Sequence, residues 1–171
     1  VATSSLVCPA PSPGTPVYMD TSSNAYGIYV LGNYAYIPDS ASGLAIIDIS
    51  DPTNPGTPIN KDTSDISYDV IVVGNYAYVS DGSSGLAIIN ISDPTNPGSP
   101  VYMDTTGYAI GITVVGNYAY VADSSRLAII DISDPTNPGT PVYMDTSGNA
   151  KDVTVVGNYA YVADGSTGLA I

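Results

Sequence analysis

The pentapeptide GNYAY occurs four times in 171 residues, beginning at Gly32, Gly74, Gly116 and Gly157, at spacings of 42, 42 and 41 residues. A longer block travels with it. One copy reads GNYAYVSDGSSGLAIINISDPTNPG and another reads GNYAYIPDSASGLAIIDISDPTNPG. A unit this short cannot bury its apolar side chains alone, so copies have to cover one another. A period of this length points to a closed ring or a stack of small β units.

Each copy divides at turn signals. DVIVV (Asp69 to Val73) is a β-branched run, followed by the turn pair Gly74-Asn75. YAYVS (Tyr76 to Ser80) places two tyrosines on one face and Ala77 on the other. DGSSG is a glycine-rich hairpin loop, and LAIINIS (Leu86 to Ser92) is a third apolar run. DPTNPGSP then stops any strand twice, because proline cannot donate to a ladder. VYMDT (Val101 to Thr105) is the fourth segment. No helical period appears, and β-branched residues with tyrosine dominate.

Four short antiparallel strands per repeat make one propeller blade. Blades stack face to face, so their strands are apolar on both faces, as LAII and VIVV are. The expected fold is all-β: a four-bladed β-propeller of sixteen strands, with blades near 26–63, 68–105, 110–146 and 151–171. First strands begin near Gly27, Asp69, Gly111 and Asp152, and fourth strands fall at 17–21, 59–63, 101–105 and 142–146. The offset predicts that the N-terminal strand, within 16–21, completes the last blade. Residues 1–15 read as a Pro/Ser-rich connector carrying Cys8, and 16–171 as a single propeller.

GNYAYVADGSTGLAI, together with IIDISDPTNP in the earlier copies, resembles the LVIVD repeat, found in bacterial and archaeal surface and secreted proteins. The resemblance covers nearly the whole chain after Gly14. It implies a β-propeller and an extracellular or cell-surface setting, and no particular reaction.

The composition narrows the chemistry. There is no His, Glu, Trp or Phe. All sixteen acidic residues are Asp, and the only bases are Lys61, Arg126 and Lys151. A net charge of −13 disfavours nucleic acid and anionic lipid, which need basic patches. No run of about 18 apolar residues occurs, so no membrane insertion is expected. With no histidine for general base work, no enzymatic activity is expected. A zinc or copper site is disfavoured for want of ligands. Cys8, the single cysteine, has no internal disulfide partner.

Calcium suits carboxylates best. Asp69 and Asp152 hold the same position in blades two and four, where Gly27 and Gly111 stand in the others. In a four-bladed ring they face each other across the channel. Two ligands are too few for a firm site, so strand-end capping is expected, with any ion a weakly held calcium. The loop aspartates (Asp39, Asp81, Asp123, Asp164) and the ISDP aspartates (Asp51, Asp93, Asp134) read as turn residues bonding nearby backbone. The paired tyrosines of the second strands read as core. Tyr18, Tyr102 and Tyr143, on the outer strands, are candidates for contacts between molecules. Asn90-Ile91-Ser92 is a glycosylation sequon that reads as drift from the Asp of other copies, and Thr3 to Thr15 offers O-linked sites.

The end of the sequence also reads into its beginning. Written end to end, GLAI-VATSS keeps the strand pattern, with Val1 in the place of Ile47 and Thr3 in that of Ile49. Val1, Thr3, Cys8 and Ile171 are therefore the expected assembly positions. The expected function is a non-enzymatic building block of an extracellular assembly, a head-to-tail filament or tandem array whose partner is itself. The alternative is a monomeric cell-surface binding or adhesion module recognising a cation or glycan.

Overall fold

The computed structural model describes residues 15–171, which form four antiparallel sheets. The first holds β1 (Tyr29–Leu31), β2 (Tyr34–Pro38), β3 (Leu44–Asp48) and β4 (Ile59–Lys61), in that order. The second repeats it with β5 (Asp69–Val73), β6 (Tyr76–Ser80), β7 (Leu86–Asn90) and β8 (Val101–Met103). The third holds β9 (Ala109–Val115), β10 (Tyr118–Asp131) and β11 (Val142–Ala150). The fourth holds β12 (Asp152–Val156), β13 (Tyr159–Ala163) and β14 (Leu169–Ala170). A single 3-10 turn, Gly165–Thr167, precedes β14.

Local chemistry accounts for the hairpins. Gly74 sits at φ +58 with open space where a Cβ would be, and Asn75 is not at positive φ. That is the II′ pattern with glycine first, whose twist suits antiparallel strands. It fixes Val73 opposite Tyr76 and Asp69 opposite Ser80. In the DPTNP connectors Asp51, Asp93 and Asp134 each accept the backbone N–H and the hydroxyl of the threonine two residues on, at 2.6 to 3.0 Å. These Asx turns carry the chain between the third and fourth strands, as expected. Asn90 makes the same local bond, to the Ser92 N–H, that Asp48 and Asp131 make to Ser50 and Ser133.

The third sheet keeps all four strand positions, two of them within β10. Its loop, Asp123 to Arg126, is one residue shorter than Asp81 to Gly85 and lacks the closing glycine. The second and third strand positions are therefore continuous in β10, which folds back at this loop: the Ile132 N–H donates to the Asn117 carbonyl at 2.8 Å, as Ile49 does to Asn33 and Ile91 to Asn75, while its first half pairs with β9 and its second half with β11.

The sheets pack in series, back face on front face. Tyr36, Leu44 and Ile46 on the back of the first meet Val70, Val72, Ala77, Val79, Ala87, Ile89 and Ile91 on the front of the second. Tyr78, Leu86 and Ile88 meet Ile112, Ala119, Val121, Ala128, Ile130 and Ile132 in the same way. A smaller cluster, Leu127 with Val153 and Val162, joins the third and fourth. Small alanines opposite tyrosine rings let the blades approach.

The fourth sheet has three strands, and residues 17–21 form no strand in this structure. The expected completion of the last blade by that segment is not made by strand pairing here. Exposure differs among equivalent positions of the faces concerned. Ile28 on the front of the first blade is 66% exposed, whereas its repeat equivalents Val70, Ile112 and Val153 are buried. Leu169 on the back of the fourth is 63% exposed, whereas Leu44, Leu86 and Leu127 are buried. Ala35, Ala45 and Ile47 on the same front of the first blade are buried, so the exposure there falls on the outer-strand positions Ile28 and Val30.

Candidate functional site

Three of the loop aspartates bond across blades, while Asp164 Oδ2 accepts the Thr167 hydroxyl of its own turn and Thr146 Oγ1 has no partner among the described residues. Asp39, Asp81, Asp123 and Asp164 are buried, and each stands 18 residues after the threonine that closes a fourth strand. Thr21 Oγ1 donates to Asp39 Oδ1 at 2.8 Å, Thr63 to Asp81 at 2.7 Å and Thr105 to Asp123 at 2.9 Å. The hydroxyl comes from the strand leaving one blade and the carboxylate from the next, so the pair fixes how successive blades follow. Burial pushes the Asp123 carboxyl above its usual range despite the Thr105 bond. The constant 18-residue spacing was the sequence signal for this latch; turn propensity alone missed it.

Asp69 and Asp152 behave as strand-end caps. Asp69 Oδ2 accepts the Ile112 N–H of the next blade at 3.1 Å, and Oδ1 accepts the Val70 N–H at 2.8 Å. Asp152 Oδ1 accepts the Val153 N–H at 2.8 Å. At Gly111 the glycine is sterically required, since a Cβ there would lie 2.7 Å from the Asp152 Cα, whereas at Gly27 a Cβ would meet nothing nearer than 3.4 Å. Burial raises the Asp69 carboxyl above its usual range, and the charge of Asp152 adds to the effect. Among the described residues no third ligand joins them to form a metal cluster.

On the same loop face three tyrosines step across three blades. Tyr26 stacks on Tyr68 at 5.0 Å between centroids, and Tyr108 meets Tyr68 edge-on at 5.7 Å, with a 3.3 Å bond between their hydroxyls. That bond, then burial, pushes the Tyr108 phenol up to about 12.

The outer-strand tyrosines differ among themselves. Tyr18 is 88% exposed and Tyr102 is just exposed. Tyr143 is half-buried against the cluster between the second and third blades, with the Arg126 guanidinium 4.7 Å above its ring. Ile171 is 74% exposed, beside Leu169 on the back of the fourth blade. Val1, Thr3 and Cys8 lie outside the described residues.

A groove of about 410 Å³ runs between the third and fourth blades, lined by Tyr120, Leu127, Ile129, Met144, Tyr159 and Ala170, among others. The internal repeat explains it. One blade earlier, the same space is filled by Ile130, Ile132 and Tyr143, packed toward Val101 and Met103. In the fourth blade no described residue takes those positions, so Met144 is 65% exposed where Met103 is half-buried.

Serial β units of three or four strands, packed back to front and latched from one to the next, define a β-propeller repeat protein. The chain belongs to the LVIVD repeat family, whose model matches residues 22–63, 66–105, 106–146 and 147–171. No curated protein matches it. Among solved structures it is similar to the computationally designed Ika4 protein, at 10% identity and a TM-score of 0.71, over 93% of this chain and 96% of that one. It is similar to the computationally designed Ika8 protein, at 9% identity and a TM-score of 0.68, over 85% of this chain and 44% of that one. It is also similar to BamB from Moraxella catarrhalis, at 19% identity and a TM-score of 0.56, over 81% and 41%. At these identities the likeness concerns the fold alone.

Proposed function

We propose that this protein is a non-enzymatic structural building block of an extracellular or cell-surface assembly, joined head to tail with copies of itself. One observation carries the reading. Ile28 and Val30 at the front of the first blade and Leu169 and Ile171 on the back of the fourth stand where the molecule packs blade on blade internally, and all four are exposed, although Ala35, Ala45 and Ile47 on the same front are buried. Their matching is heterologous: the back of one copy meets the front of the next. Such contacts build rings when they close and filaments when they do not.

Sedimentation of the purified protein tests this. The expectation is concentration-dependent assembly that Ile28→Lys and Leu169→Lys each abolish without unfolding the monomer. Denaturing gels of native material separate a tandem chain, running far above 17.5 kDa after reduction, from a non-covalent polymer, which collapses to that mass. A compact wild-type monomer at millimolar concentration overturns the reading. The second reading, a four-bladed ring closed on itself by residues 17–21 and acting as a monomeric cation- or glycan-binding module, would then lead. Its support is the exposed Tyr26 at the end of the tyrosine ladder.

A further inference from the structure

We infer that Asn90 is the acceptor of one asparagine-linked oligosaccharide. The inference rests on the extracellular setting proposed above and does not depend on head-to-tail assembly.

Asn90-Ile91-Ser92 is an Asn-X-Ser/Thr triplet, and no other asparagine of the sequence has Ser or Thr two positions on. Its repeat equivalents are Asp48-Ile49-Ser50 and Asp131-Ile132-Ser133. By pattern alone the asparagine is drift; the geometry gives the exchange a chemical meaning. All three side chains do the same local job. The Ser50 N–H donates to Asp48 Oδ1 at 2.8 Å, the Ser92 N–H to Asn90 Oδ1 at 2.9 Å and the Ser133 N–H to Asp131 Oδ1 at 2.9 Å. The turn needs one acceptor oxygen, which Asp and Asn both have. Asparagine adds a nitrogen that the turn does not use.

The same bond settles which end of the amide is free. A backbone N–H donates only to the amide oxygen, so Nδ2 is the atom left over. Among the described residues neither Nδ2 nor the Ser92 hydroxyl has a hydrogen-bond partner, and both residues are exposed. The backbone around them is held. Ile91 is buried and its N–H donates to the Asn75 carbonyl at 2.8 Å, while the Gly98 N–H donates to the Asn90 carbonyl at 2.8 Å. Asn90 ends β7, at the opposite end of that strand from the Asp81 loop. The buried members of the strand are Leu86 to Ile89, so a bulky polar group on Asn90 lies at the rim of the second blade and outside its packing.

In the transfer, Nδ2 bonds to the sugar C1 of a polyprenyl-diphosphate-linked oligosaccharide. The C1–O bond to the diphosphate breaks, the polyprenyl diphosphate leaves with that electron pair, and one amide proton passes to a base of the transferase. An aspartate at this position has no nitrogen to give, which restricts the modification to the second blade.

Secretion of the full chain from eukaryotic cells tests this, with mass spectrometry as the readout. The repeat itself supplies the control: Asn90→Asp keeps the acceptor oxygen, so its melting curve should match that of deglycosylated wild type. Secreted wild type should be heavier than secreted Asn90→Asp by one oligosaccharide. An amidase that hydrolyses the glycosyl-asparagine bond should remove the difference. Ser92→Ala should lose the glycan, and Asp48→Asn, which makes the same triplet in the equivalent turn, should gain a second. Wild type equal in mass to Asn90→Asp, from cells that fully modify a reference glycoprotein, overturns the inference. In native material the peptide spanning position 90 should carry the same modification. That peptide unmodified in protein recovered from outside the cell overturns the inference and leaves the extracellular setting in place. Protein confined to the cell interior overturns the setting and the inference with it.

Discussion

The Thr105 hydroxyl donates to the buried Asp123 carboxylate across 2.9 Å, tying the strand that leaves the second blade to the loop of the third. Among the described residues Asp123 Oδ2 has no hydrogen-bond partner, and Thr105 is the side chain that donates to this carboxylate. Thr105→Val keeps the shape and removes the donor. A lost bond to a buried charged group costs about 1–3 kcal/mol. Urea denaturation should show a lower midpoint at unchanged slope, and Thr53→Val, in an exposed Asx turn, should cost less. Equal midpoints for Thr105→Val and wild type would remove the latch from the account.

The two kinds of loop glycine should respond differently to alanine. Gly74 needs only its left-handed φ, with nothing within reach of a Cβ, so Gly74→Ala should cost about 1–2 kcal/mol. Gly85, at φ +77, would drive its Cβ into the Met103 carbonyl and to 2.6 Å from the Thr105 nitrogen. Backbone on both sides leaves no cheap relief, so Gly85→Ala should cost about 4 kcal/mol or more. Paired thermal melts decide it, and similar losses in the two variants would contradict the packing described.

Asp152→Asn should leave stability at neutral pH within about 1 kcal/mol of wild type, because one oxygen accepts there, whereas Asp69→Asn keeps one of its two N–H bonds and should cost about 1–3 kcal/mol. Calcium up to millimolar should not shift either melting curve. The pH dependence has a definite sign. The folded-state value of Asp69 is raised above the ordinary 3.8, so the native state holds this proton more tightly than the unfolded chain does. Its contribution is fully present below 3.8 and is lost as pH rises through the raised value. Asp69→Asn should lack that downward slope. Destabilisation at neutral pH that calcium reverses only in wild type would show an ion to be structural.

Assembly should strengthen with salt. Each copy carries a charge of −13, so end-to-end contact brings like charges together. Raising ionic strength from about 0.01 M to 0.15 M shortens the Debye length from about 30 Å to 8 Å. Sedimentation across that range should show tighter association at the higher salt. Weakening by salt would mean that opposite charges, not apolar faces, hold the copies together.

How much of this was legible in the sequence follows from the range of the interactions involved. The repeat located the hairpins because Gly74-Asn75 and the Asp93–Thr95 turn are settled within a few residues, whatever surrounds them. Apolar runs such as LAII announced sheets buried on both faces. The 18-residue interval from Thr105 to Asp123 was also present in the sequence, but only burial showed that it links two blades and is not a turn device. What the tertiary structure alone decided is how the series ends. Ile28 and Val70 are equivalent in sequence, as are Leu44 and Leu169, yet one of each pair is buried and the other uncovered. Local pattern gives equivalent positions the same preference. Burial depends on what lies against each position, and Ile28 on the first blade and Leu169 on the last are left exposed where their equivalents are covered.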